Sequence, residues 1–82
     1  MYRATVHVTL RPSILDPQGK AITQALHQLG YDAVSEVRAG KRFEILIDAA
    51  SESDARELAT AAASRLLANT VMEDYRIEIE SA

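Results

Sequence analysis

Apolar and polar residues alternate from the first residues of the chain. Tyr2, Ala4, Val6, Val8 and Leu10 share one side, and Arg3, Thr5, His7 and Thr9 the other. Period two with β-branched residues predicts a half-buried strand over 2–10. Arg11 to Leu15 reads as a linker. Asp16-Pro17 then starts a helix, because an Asp side chain can accept from first-turn amides and Pro suits the first helical position. Ile22, Ala25, Leu26 and Leu29 recur at helical spacing opposite Lys20, Gln24, His27 and Gln28. Gly30 follows where a positive φ ends a helix. Gly19 is unusual inside that helix. It is either a tolerated first-turn residue or a place where a partner backbone or an anion comes close.

Ala33 to Ala39 carries Val34 and Val37 in an irregular apolar pattern, and Arg42 to Asp48 alternates through Phe43, Ile45 and Ile47. Gly40-Lys41 between them fits a two-residue hairpin turn. One long strand kinked at Gly40 is the competing reading. Ser51 with Asp54 forms a capping-box pattern ahead of an alanine-rich helix running to about residue 68. Its expected inner stripe is Ala55, Leu58, Ala59, Ala62 and Leu66, with Glu52 and Arg56 pairing along its surface. Asn69 suits a left-handed helix stop. Val71 and Met72 are apolar in a connection that would ordinarily be polar. Tyr75, Ile77 and Ile79 then alternate with Arg76, Glu78 and Glu80 in a last strand.

The order strand, helix, strand, strand, helix, strand predicts an α+β two-layer sandwich of ferredoxin-like βαββαβ type. It implies a four-stranded antiparallel sheet with both helices on one face, built as a single domain over 1–82. The second sheet face would carry Arg3, Thr5, His7, Thr9, Arg42, Glu44, Leu46, Arg76 and Glu78, which suits water or a polar interface.

Composition narrows the function. The chain has 82 residues, no cysteine and a formal net charge of −3. Absence of cysteine removes disulfides, thiolate metal sites and a cysteine nucleophile. An acidic balance argues against a general nucleic-acid binder, and no apolar run reaches the length of a membrane helix. The N-terminal residues enter the first strand directly, without a signal-peptide pattern. A core this small favours association with other chains. His7 and His27 lie on different elements without ligand-spaced carboxylates, the serines lack a nucleophile-elbow context, and the three glycines form no phosphate loop. No nucleophile, base and anion hole occur together, so a free-standing enzyme is disfavoured. An RNA-recognition module is disfavoured too, because the open face lacks stacking aromatics.

Three stretches carry a family resemblance. Val8-Thr9-Leu10 leads to Leu15-Asp16-Pro17-Gln18-Gly19; Val37-Arg38-Ala39-Gly40-Lys41 follows; and Leu66-Leu67-Ala68-Asn69 continues through Val71 to Glu73-Asp74-Tyr75. Together they resemble the PurS family, the small subunits of bacterial and archaeal phosphoribosylformylglycinamidine synthase. Thr70 stands where many relatives have Pro, and Met72 where Ile is common. The resemblance implies a cytoplasmic, non-catalytic subunit in purine biosynthesis. It would bridge a PurQ glutaminase to a PurL synthetase and assist ammonia transfer between them. It implies a homodimer, with a tetramer of the free chain as a further state. No cofactor is expected in this chain, ATP and Mg being used by the synthetase partner; no nucleic acid or membrane is expected as a partner. Asp16, Gly19, Arg38, Gly40, Lys41, Asn69, Val71, Met72, Glu73, Asp74 and Tyr75 become the candidate interface residues. A small-molecule-sensing module of the ACT kind is the alternative, with a ligand expected near residues 10–18.

Overall fold

The computed structural model describes residues 1–82. Its elements are β1 (Tyr2–Leu10), α1 (Pro17–Gln28), β2 (Gly40–Ile47), α2 (Glu52–Ala62) and β3 (Glu73–Ser81). The sheet has three strands, not four, in the order β2-β1-β3, and both pairings are antiparallel. Val6 stands opposite Phe43 on one side and Ile77 on the other, so the apolar positions of all three strands share one face.

The missing strand is the 31–39 segment, here called the strap, which joins no ladder. The hairpin expected at Gly40-Lys41 is absent. A two-residue turn with Gly first needs a positive φ there, and Gly30, with φ of 95°, is the one residue with such a backbone. Gly40 instead opens β2 opposite Thr9. A side chain at Gly40 would meet the Val8 carbonyl oxygen at 2.6 Å, so the close β1–β2 approach requires glycine.

Both helix starts follow the sequence. Asp16 accepts from the Gly19 amide at 2.9 Å, and Ser51 Oγ from the Asp54 amide at 3.1 Å. Gly30 takes the positive φ just past α1. The end of α2 differs from expectation. Ala63–Leu67 form a π-helical turn closed by the Ala68 amide on the Ala63 carbonyl at 2.9 Å. Asn69 has no positive φ.

α2 and the π-helical turn after it lie on the apolar sheet face through Ala55 and Ala59 and through Ala63, all fully buried. Small side chains let its axis approach the strands. Leu58 and Leu66, expected on that inner stripe, are 52% and 82% exposed. α1 does not pack on the sheet as a second helix layer; it stands beyond the sheet with Ile22 and Leu29 exposed. The expectation of two helices covering one face fails for that reason within a single chain. The result is elongated. The radius of gyration is 16.1 Å, against about 12 Å for a compact chain of this length. The largest fully buried side chains are only Val6 and Val8.

Candidate interaction surface

Two constructions carry the residues singled out above. The first joins α1 to the strap. Asp16 caps α1 with one carboxylate oxygen and accepts from the Ala39 amide with the other, at 2.7 Å. Thr23 Oγ1 donates to the Gly19 carbonyl at 2.8 Å and accepts from the Val37 amide at 3.0 Å. A Cβ at Gly19 would lie 2.1 Å from the Val37 carbonyl oxygen. Close backbone approach therefore explains Gly19, and the partner is the chain's own strap. Arg38 reaches back to the linker, donating to the Arg11 and Ile14 carbonyls at 3.1 and 3.2 Å. The Gly19 amide, then the Ala39 amide, hold the Asp16 carboxyl below its usual value, with the charge of Arg38 adding to the effect.

Val37 and Ala39 are two residues apart and both give their amides to α1, the period of an extended chain. The backbone groups of Glu36 and Arg38, one residue out of phase, find no partner within the chain. The outer edge of β2 is also unpaired. The outer edge of β3 is guarded, because Arg56 on α2 donates to the Ile77 carbonyl at 3.4 Å.

The second construction is the corner at 68–75. Glu73 Oε1 accepts from the Asn69 amide at 2.7 Å, and Asn69 Oδ1 accepts from the Val71 amide at 3.1 Å. The Glu73 side chain is only 12% exposed and pairs with Lys41 at 3.6 Å. Asp74 pairs with Arg11 at 3.3 Å, while Arg11 also donates its amide to Met72 and its guanidinium to Thr70. Tyr75 is half-buried against the Val6–Val8 cluster. Asn69, Glu73 and Tyr75 thus hold the corner together. Val71, at 78% exposed, and Met72, at 41%, are left outside it.

Asp16, Gly40, Lys41 and Glu73 line one recess of about 190 Å³ at this end of the sheet. Val71 is not among its lining residues. Two residues escaped the sequence reading. Arg11 reads only as part of a linker, and nothing in the periodicity singles out Thr23. A glycine inside the helix one turn ahead of Thr23 was the available signal for that residue; none marked Arg11.

On the opposite sheet face, Glu78 lies against Arg76 and 3.3 Å from His7 Nε2. The hydrogen bond and charge of Arg76, with a smaller effect from His7, hold the Glu78 carboxyl below its usual range. No group of three His, Asp or Glu side chains is arranged to hold a metal ion, and no helix is long and apolar enough to cross a membrane.

Comparison with known proteins places these features. Residues 3–81 match the PurS family model, described as phosphoribosylformylglycinamidine (FGAM) synthase. The chain is 58% identical over 81 residues to the PurS subunit of Mycobacterium leprae, covering 99% of both proteins. Its fold is similar to the crystal structure of Bacillus subtilis PurS, with a TM-score of 0.90 and 47% identity over 99% of this chain and 100% of that one. It is also similar to a chain in the structure of PurLQS from Thermotoga maritima, with a TM-score of 0.88 and 26% identity over 96% of each chain. The chain belongs to the PurS family of phosphoribosylformylglycinamidine synthase.

Proposed function

We propose that this chain bridges the glutaminase and the ATP-dependent synthetase of phosphoribosylformylglycinamidine synthase, the PurQ and PurL subunits, in purine biosynthesis. The observation that carries this reading is the full-length likeness to a chain of the Thermotoga maritima PurLQS structure. The chain contributes no catalytic group and no cofactor site of its own; ATP and Mg belong to the synthetase partner. Its contribution is positional and it works in the cytoplasm. Fixing two active sites at one distance replaces diffusion of ammonia by a high local concentration.

The working unit is a homodimer that completes the four-stranded, two-helix layer between copies. The strap edge at Glu36 and Arg38 pairs with the unguarded outer edge of β2 in the second copy. α1 then lays Ile22, Leu26 and Leu29 beside α2 and the π-helical turn of the second copy, where Leu58 and Leu66 are uncovered. The sequence pattern supports this, because it specifies four strands and two packed helices while one chain closes only three and one. Exchange follows from an open hairpin: with no turn at Gly40, the strap runs on past its own β2. The exposed Val71–Met72 corner and the charged sheet face remain outside that contact and available to the two catalytic subunits.

Co-elution tests the bridge. Size-exclusion chromatography with light scattering on the three purified subunits should give a ternary complex when ATP, Mg and glutamine are present. Leaving out this chain should leave the glutaminase and synthetase in separate peaks. Stable association of the two without it would overturn the assignment.

A further inference from the structure

A groove of about 330 Å³ runs between α1 and the strap; of the residues invoked above for assembly it shares only Glu36 and Arg38, whose backbones form the strap edge. Lys20, Thr23, Gln24 and His27 line it from the polar face of α1, and Ser35 and Arg38 from the strap. This is the helix face opposite Ile22 and Leu29, so the groove stays open when that apolar stripe is covered. From Lys20 to His27 the helix advances about 10 Å, the length of a small metabolite. The volume falls at the lower end of the ligand-site range of roughly 300–1,000 Å³.

Charge within the groove is unevenly compensated. Seven of the nine Lys and Arg side chains have a carboxylate within 4.0 Å; Lys20 and Arg65 have none. Arg38 has one of the two longest of these pairings, 3.9 Å to a Glu36 carboxylate that is 69% exposed. Its Nη2 is taken up by backbone carbonyls, which fixes the guanidinium while leaving Nη1 uncommitted. Two carboxylates also border the groove. Asp16 has both oxygens held by backbone amides, so it makes no direct pair with either cation, although its charge partly offsets that of Arg38. Glu36 lies at the solvent side. His27 Nε2 stands 2.7 Å from the Val34 carbonyl, which orients its ring at the far end.

We propose that this groove binds a small phosphate monoester. Lys20 and Arg38 meet the phosphate, and Gln24, His27 and Ser35 meet a polar body extending along α1. A phosphate monoester suits the pair better than a carboxylate, because its charge of about −1.5 to −2 at neutral pH and three acceptor oxygens match two separate cationic donors. This site does not depend on the bridging role.

The test is a titration of the isotopically labelled chain followed by amide NMR, at constant ionic strength and pH 7, with AMP, inorganic phosphate and glutamate in separate arms. AMP should give saturable shifts confined to residues 20–27 and 35–38, with tighter binding than inorganic phosphate and no saturable response to glutamate. Lys20→Gln should weaken AMP binding about tenfold, the loss expected for one charge-assisted hydrogen bond. Arg65→Gln, which removes the other uncompensated cation outside the groove, should leave the affinity unchanged. Non-saturating shifts, equal weakening by both substitutions, or AMP binding no tighter than phosphate or glutamate would overturn the proposal. Both substitutions fall at exposed positions, and unchanged shifts at Val6 and Val8 verify the fold. Loss of the ternary complex with intact AMP binding would sink the bridging role alone.

Discussion

At Gly19 the helix backbone runs so close to the strap that a methyl group there would occupy the space of the Val37 carbonyl oxygen. Gly19→Ala should therefore lower stability by about 1–3 kcal/mol, the usual range for overpacking a close contact. Hydrogen exchange locates the damage: the Val37 and Ala39 amides should lose protection while those of Val6 and Val8 keep it. Asp16 gives a second prediction with a defined sign. Its carboxyl is held below the ordinary value of 3.8 by amides of the folded chain. The stabilisation is present above that value and disappears as pH falls through the lower folded value. Acid unfolding followed by circular dichroism should show wild type losing an advantage over Asp16→Asn only below pH 3.8. The cap itself was legible from Asp16-Pro17. Its second bond, to an amide 23 residues away, was not, because helix-start patterns report only local partners.

Among the elements, β1, β2, β3 and both helix starts were readable because period and capping chemistry are local properties. Three readings failed where local chemistry leaves a choice. Gly40-Lys41 suits a hairpin, but Gly is equally at home where β1 and β2 approach too closely for a Cβ. Leu58 and Leu66 fit a helical stripe, yet the alanines beside them face the sheet. Asn69 can end a helix left-handed, but here its side chain turns the loop by accepting from Val71. The strap and α1 expose the deeper ambiguity: an apolar pattern says that a face is covered, not by which chain. Replacing Ile22 and Leu29 by Asp should leave the sheet folded and shift the free chain to monomer, read by light scattering. An unchanged oligomer would remove α1 from the interface.

Across the whole molecule, an extent of 51 × 27 × 14 Å goes with a small core of two valines, one isoleucine and five alanines, which fits the proposed assembly role. Glu73 and Asp74, both candidate interface residues, pair within the chain with Lys41, Asn69 and Arg11, which stiffens the corner at 68–75, while Val71 and Met72 stay exposed beside them. Family membership was legible from three motifs, whereas the open strap and the uncovered face of α1, on which the proposed dimer rests, needed the geometry. The central claim is that this chain turns two catalytic subunits into one glutamine-using enzyme. The most direct measurement is glutamine-dependent formation of the formylglycinamidine product by the glutaminase and synthetase, with and without this chain, beside the same assay supplied with free ammonia. The bridge predicts that omission abolishes the glutamine-dependent rate and spares the ammonia-dependent one. A glutamine-dependent rate unchanged by omission would contradict it.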